Sequence, residues 1–242
     1  MNITFYIILA VLPSILWLLF YLRKDKHPEP NKMILKIFFW GILATFGALC
    51  LEWLYQKALG ALSLQSMVFL VIGGMAFIEE YIKYFVVKIK VLKSSEFDEP
   101  VDAMLYMIIA ALGFAAAENI FLLNGLYAVG ASTNELIQIT LGRFLGAVFL
   151  HALASGIVGY FLARSFLLKP SSPTDGRERK SLVALGILIA TCLHGIYNYI
   201  IMEIDPSSKS FIFLLVILIS LMAIGISLGF KKLTKFKSIY KI

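Results

Sequence analysis

The chain has 242 residues, of which 60% are hydrophobic and only 15% are charged. This is far more apolar side chain than a soluble core of that length buries, so the composition excludes an ordinary water-soluble domain. The net charge of +7 does not indicate nucleic-acid binding, because the basic residues lie at the ends of apolar runs rather than on one folded face. A membrane surface is the expected partner of this charge.

Seven apolar runs follow one another along the chain with short connections between them. A helix of about 20 residues is long enough to cross a hydrocarbon core of about 30 Å. The predicted helices cover roughly residues 3–22, 36–56, 66–89, 101–124, 138–163, 182–203 and 210–230. We therefore predict an all-α fold, a polytopic transmembrane bundle of about seven helices that forms a single membrane-embedded domain over residues 1–242.

Lys and Arg residues favour one side of this predicted bundle. With the connections assigned to alternate sides, eighteen of the 22 basic residues fall on one side, and Lys57 and Lys209 fall on the other. Cytoplasmic connections are enriched in basic residues, which predicts an N-terminus outside and a C-terminus in the cytoplasm. The first run is followed, not preceded, by basic residues, which predicts a retained helix rather than a signal peptide.

Ionisable and amide side chains interrupt four consecutive predicted helices. A charged side chain at the membrane centre costs roughly 2.5–3.5 kcal/mol on insertion scales, so each one needs a reason. The set comprises Glu79, Glu80 and Lys83 in the third helix, Glu118 and Asn119 in the fourth, Arg143 and His151 in the fifth, and His194 and Asn198 in the sixth. Their positions along the helices predict one shared cavity in the middle or outer half of the membrane.

Glu79 and Lys83 are four residues apart in the favoured direction for a helical ion pair, whereas Glu80 points about 100° away. We expect the lysine to neutralise one carboxylate and leave the other free as a general base. The structural alternative is a buried salt bridge that only fixes helix packing. Arg143 is expected either to reach the interface or to pair with an acid such as Glu118.

Two later helices each offer an imidazole with a polar partner one turn away. His151 precedes Ser155 by four residues, and His194 precedes Asn198 by four, so each pair shares a helix face. A single buried histidine is as often a satisfied hydrogen-bonding residue as a ligand. Three glutamates in neighbouring helices favour a functional site. Glu52, near the outer end of the second helix, is expected to face the membrane interface.

Four motifs can be read in order on these helices. They are Glu79-Glu80-Tyr81-Ile82-Lys83, Phe114-Ala115-Ala116-Ala117-Glu118-Asn119, His151-Ala152-Leu153-Ala154-Ser155 and His194-Gly195-Ile196-Tyr197-Asn198. They resemble the EExxK, FxxxEN, HxxxS and HGxY motifs of the PrsW family, bacterial membrane proteases similar to the CAAX prenyl protease and bacteriocin-processing group. The resemblance implies a multi-pass protein of the bacterial cell membrane that makes the first cut in a single-pass anti-sigma factor during envelope-stress signalling.

The same resemblance implies roles for individual residues. The catalytic candidates are Glu79, Glu80, His194, Glu118 and His151, and the supporting residues are Asn198, Lys83, Asn119 and Ser155. In one mechanism a glutamate activates water and a histidine with Asn198 stabilises the oxyanion, without a metal. In the other, His151, His194 and Glu79 hold Zn²⁺ and another glutamate is the base. The spacing does not decide between them, because the ligands come from different helices.

Two other functions use the same residues. A proton- or ion-coupled transporter would show coupled flux and no cleavage. A non-enzymatic membrane scaffold would need the charges only for helix association, so Glu→Gln changes would leave its function intact. The four ordered motifs favour the protease, whose expected partners are a single-pass membrane protein substrate such as an anti-sigma factor and the lipid bilayer, and not a nucleic acid.

Overall fold

The computed structural model describes residues 3–25, 27–168 and 175–236, which form helices and no β-strand. The helices are α1 (Ile3–Leu22), α2 (Asn31–Ala61), α3 (Val68–Lys90), α4 (Pro100–Ala128), α5 (Thr133–Leu145), α6 (Ala147–Phe166), α7 (Asp175–Glu203) and α8 (Lys209–Leu233). Only Gly146 separates α5 from α6, so these two count as one broken helix. The predicted all-α bundle of about seven helices is confirmed.

Six helices in the described part of the chain are long and apolar enough to cross a membrane: α1, α2, α4, the α5–α6 segment, α7 and α8. The exception is α3, which has 23 residues but carries Glu79, Glu80 and Lys83 in its apolar sequence. Several helices extend beyond the predicted apolar runs, because helical hydrogen bonding continues into flanking polar residues where the hydropathy signal has ended.

The orientation of the bundle stays a prediction. Four of the lysines on which it rests lie outside the described residues, namely Lys26, Lys169, Lys237 and Lys241.

Helix α4 lies at the centre of the bundle. Among the described residues it contacts every helix except α7, and all its side chains from 101 to 117 are buried. Glycines bring α2 and α4 into backbone contact, because a Cβ added to Gly41 would overlap the Ala110 carbonyl oxygen and one added to Gly113 would overlap the Phe38 carbonyl oxygen. Small residues let membrane helices approach in this way.

The connection between α1 and α2 packs against the start of α4. Asp102 caps this helix, since its Oδ2 accepts a hydrogen bond from the backbone N–H of Glu99 at 2.7 Å. The Tyr106 hydroxyl donates to the Glu29 carboxylate. Carboxylate oxygens of Asp25, Glu29 and Asp102 all lie within 4.8 Å of one another. Three acidic side chains therefore lie close together at the N-terminal end of α4.

The helix predicted over 138–163 is broken at Gly146, whose φ of −101° and ψ of −99° are not helical. A Cβ at this position would lie only 2.5 Å from the Tyr197 hydroxyl oxygen of α7, so the close approach of the tyrosine requires glycine. Arg143, before the break, and His151, after it, both contact Glu118. The break therefore lies between two residues that both bind Glu118.

Candidate active site

Lys83 is the centre of a buried polar cluster. Its Nζ donates to Glu79 Oε2 at 3.1 Å, to Glu80 Oε1 at 2.9 Å and to His151 Nδ1 at 2.8 Å, so each of its three N–H groups has an acceptor. The Phe114 ring covers the ammonium group at 4.3 Å. The expectation that one carboxylate is left free of the lysine is wrong, because positions three and four residues away on a helix both lie within its reach.

His151 connects this lysine to α4 and α5. A lysine ammonium only donates, so Nδ1 of a neutral His151 accepts and its ring proton is on Nε2. That Nε2–H donates to Glu118 Oε2 at 3.0 Å. Arg143 donates to the same Glu118 oxygen at 2.6 Å and to Asn119 Oδ1 at 2.5 Å, and the Asn119 amide donates to a backbone carbonyl of α1. The alternative that Arg143 pairs with Glu118 is confirmed.

His194 enters the cluster from α7. Its Nδ1 lies 3.0 Å from Glu80 Oε1, and the Ser155 hydroxyl donates to Glu80 Oε2 at 2.8 Å. Because the carboxylate paired with Lys83 accepts, His194 Nδ1–H is the donor. The lone pair of its Nε2 is then left free, 3.9 Å from Glu79 Oε2. Glu80 thus orients one histidine, as Glu118 orients the other.

Eight of the nine predicted site residues meet in this network. They are Glu79, Glu80, Lys83, Glu118, Asn119, His151, Ser155 and His194. The ninth, Asn198, is partly buried and forms no hydrogen bond with any residue that the structure describes. Its role in oxyanion stabilisation stays a prediction.

Glu52 was expected at the membrane interface, and this expectation is wrong. The residue is only 8% exposed and lines a cavity of about 140 Å³ between α2, α3 and α4, together with Glu79 and Glu118. Thr45 and Ala48 of the same helix also line it. Spacings of three and four residues place these positions on one face of α2, which is the sequence signal that could have predicted an inward-facing Glu52.

Three of the clustered side chains fit a metal ion. Ligand atoms of Glu79, His151 and His194 all lie within 4.8 Å of one another. Two imidazoles and one carboxylate form a ligand set that catalytic Zn²⁺ uses. Each histidine also has its other nitrogen hydrogen-bonded to a carboxylate, Glu118 or Glu80, which is the arrangement that fixes ring orientation at metal sites.

Comparisons with known proteins show which proteins this sequence resembles. Residues 29–224 match the family described as PrsW family intramembrane metalloprotease. The chain is 30% identical to Protease PrsW of Geobacillus kaustophilus over 186 residues, which is 76% of this chain and 73% of that protein. It is 28% identical to Protease PrsW of Bacillus subtilis over 79% of this chain and 80% of that protein.

A third relative, Protease PrsW of Halalkalibacterium halodurans, is 27% identical over 86% of each chain. No solved structure matches this chain. The family match covers most of the chain and includes all four motifs. With its apolar helices, this chain is a multi-pass bacterial membrane peptidase, and it belongs to the PrsW family of intramembrane metalloproteases.

Proposed function

We propose that this peptidase hydrolyses a peptide bond of a membrane-anchored protein at a zinc site formed by Glu79, His151 and His194. The observation that supports the proposal is the position of these three donors, which come from three different helices and meet inside the bundle. Carboxylates orient both imidazoles. The alternative without a metal has less support, because the family that matches this chain is described as a metalloprotease family.

A Zn²⁺ ion bound at these residues would polarise the scissile carbonyl group and activate a water molecule. Glu118 lines the cavity, and its side chain is 34% exposed. We assign it the role of general base, which accepts a proton from the attacking water and passes it to the leaving amine. Glu80 is fully buried and accepts hydrogen bonds from Lys83, Ser155 and His194, so its role is to position the histidine.

The proposed substrate is a single-pass anti-sigma factor, and the reaction is its first cleavage in envelope-stress signalling. This substrate class rests on the resemblance of the four motifs to the family. The described connections between helices are short, so substrate selection falls on surfaces within the membrane or at its edge. Exchange of the transmembrane helix of the substrate for an unrelated one is expected to reduce cleavage. Unchanged cleavage would contradict this mode of selection.

The function is tested by cleavage of a doubly tagged single-pass anti-sigma factor from the same genome. We expect the wild-type protein to release a tagged fragment and Glu79→Gln to release none, because a ligand is lost. Glu203→Gln is the matched control, since this exposed glutamate is the last residue of α7 and forms no hydrogen bond with the described residues of the cluster. All variants are compared at equal abundance in the membrane.

The metal requirement is tested with purified protein in liposomes. A chelator is expected to abolish cleavage, and added Zn²⁺ is expected to restore it. If wild type and Glu79→Gln release the same fragment, the proposed site is not the site of hydrolysis. Proton flux across liposomes that is lost in Glu79→Gln, without any cleavage, would instead support a transporter.

A further inference from the structure

The cavity between α2, α3 and α4 has an acid that the proposed reaction does not use. Glu52 projects from α2 into the same space as Glu79 and Glu118. The cavity volume is about 140 Å³, whereas one water molecule needs roughly 10–15 Å³ of such volume and two to four polar partners. The space is therefore large enough, and polar enough at three points, to hold several water molecules.

Glu52 differs in its contacts from the glutamates of the polar cluster. Glu79 and Glu80 are paired with Lys83, and Glu118 is paired with Arg143. Within the described residues, Glu52 forms no hydrogen bond and no ion pair. The nearest basic residue along α2, Lys57, lies over the Trp53 ring instead.

A buried carboxyl group without a protein partner is costly, and in a membrane helix there is no lipid group to replace it. The charged groups that face Glu52 from neighbouring helices include Glu79 and Glu118, which repel a second negative charge. Lys83 is fully buried behind them with all three N–H groups engaged. Water in the cavity is the partner that this geometry leaves for Glu52.

Of the clustered side chains, Glu118 is the most exposed, and it lies at the wall of this cavity. Glu80 and Lys83 have no exposed surface, and His151 and His194 retain about 2%. Glu118, at the cavity wall, is 34% exposed. Each hydrolysed peptide bond consumes one water molecule, which has to cross apolar helices to reach the cluster. The cavity lined by Glu52 is in direct contact with two groups of this cluster, Glu79 and Glu118.

We propose that Glu52 is a water-binding residue that keeps this cavity hydrated and supplies water to the site at Glu79 and Glu118. The hydration of the cavity does not depend on the proposed function, whereas the supply of water for hydrolysis rests on it. Glu52 is a positioning residue in this role, because it acts on the reaction through bound water rather than on the peptide.

Hydration is tested by thiol labelling, which does not depend on cleavage. In a protein with Cys50→Ala and Cys192→Ala, a single cysteine is introduced by Ala48→Cys at the cavity wall. The probe is neutral hydroxyethyl methanethiosulfonate, which reacts with the thiolate and so requires water at the sulfur. We expect labelling of this cysteine, and about tenfold slower labelling when Glu52→Leu is added, because apolar cavities stay dry.

Two variants separate hydration from other effects. Glu52→Gln keeps hydrogen-bonding groups and is expected to label within about threefold of the parent rate. Gln56→Leu makes a similar polar-to-apolar change one turn further along α2, outside the cavity, and is expected to leave the rate unchanged. Phe39→Cys, on the exposed face of α2, reports background reaction from the lipid side and is expected to stay unlabelled.

The same variants are then assayed for cleavage in the cysteine-containing wild-type background. Glu52→Leu is expected to lower kcat about tenfold with little change in KM, and Glu52→Gln to retain most of the activity.

Equal labelling rates in the parent and in the protein with Glu52→Leu would overturn the hydration of the cavity by this residue, as would no labelling of the parent. Slower labelling with unchanged kcat would overturn its role in water supply. Absence of cleavage by the wild type would count against the proposed function and leave the labelling result intact.

Discussion

His151 Nδ1 lies 2.8 Å from Lys83 Nζ, so the lysine ammonium engages the histidine lone pair that faces Glu79. That same nitrogen is the one closest to Glu79, at 3.8 Å. Metal binding at this nitrogen therefore requires Lys83 to release it. Lys83 and a divalent cation therefore compete for the same ligand atoms.

Lys83→Met is expected to bind Zn²⁺ more tightly than the wild type, by roughly tenfold or more, because the change removes both a competing donor and a repulsive charge. The dissociation constant is measured on purified protein by competition with a zinc indicator. Lys88→Met, at an exposed position of the same helix, is the control and should not alter it. Weaker binding by Lys83→Met would contradict the view that lysine and metal compete.

The same variant should lose stability when no metal is present. Removal of one partner leaves Glu80 buried without its cation, which typically costs about 3–5 kcal/mol. Thermal unfolding in detergent is expected to occur at a lower temperature, and Zn²⁺ should raise it more in Lys83→Met than in the wild type. An equal zinc-dependent shift in both proteins would argue against this coupling.

Glu80→Gln and Glu118→Gln should fail in different ways. Glu80→Gln weakens the hydrogen bond that orients His194, so zinc affinity should fall about 10–100-fold, and turnover should largely recover at saturating Zn²⁺. Glu118→Gln should also lower zinc affinity, because it weakens the hydrogen bond to His151, but its turnover should remain about 100-fold or more below wild type even at saturating Zn²⁺, since the base is lost. The measurements are zinc affinity and kcat as a function of zinc concentration. Full recovery of Glu118→Gln would exclude it as the base.

Sequence reasoning predicted the polar cluster because each of its members is costly inside an apolar helix. The cost of a charged or polar side chain inside an apolar helix identifies Glu79, His151 and His194 without any knowledge of their contacts. It does not predict how Lys83 divides its three hydrogen bonds, since this depends on the rotation of α6 against α3. It also does not show that Asn198 lies outside the hydrogen-bond network, although the residue is only one turn beyond His194.

The lengths and breaks of the helices were predicted less well. Hydropathy identified the apolar part of each helix but not the turns that continue into polar flanks. The hydropathy pattern does not report the break at Gly146, because the close approach of Tyr197 from α7 at this position is a tertiary contact. The distance of Glu52 along α2 favours the interface, whereas its helix face, shared with Thr45 and Ala48, points into the cavity.

The acids at the start of α4 predict a pH dependence of stability. Burial raises the pKa of Glu29 from 4.5 to about 8, the nearby Asp102 adds to the rise, and the hydrogen bond from Tyr106 opposes it. Folded protein thus retains a proton on Glu29 that the unfolded chain loses above pH 4.5. Since the folded state binds more protons, stability should fall as pH rises from about 4.5 to 8.

Glu29→Gln should remove this contribution, because the amide stays neutral and still accepts from Tyr106. The measurement is thermal unfolding at pH 5, 7 and 9, followed by tryptophan fluorescence. Relative to the wild type, the variant should gain stability as pH rises, and Glu203→Gln should follow the wild type. Parallel pH profiles for Glu29→Gln and the wild type would show that Glu29 is not protonated in the folded state.

The close approach of Tyr197 to Gly146 can be tested by paired substitutions. Gly146→Ala places a Cβ at 2.5 Å from the tyrosine hydroxyl oxygen, and such overpacking typically costs about 1–3 kcal/mol. Tyr197→Phe removes that oxygen, so the alanine should cost less in the phenylalanine background, where the next ring atom is 3.6 Å away. Gly125→Ala, with nothing within 4 Å, should instead stabilise its helix by up to about 1 kcal/mol. Unfolding free energies of the four proteins in the cycle give the coupling, and additive costs would show that the tyrosine hydroxyl does not impose the break between α5 and α6.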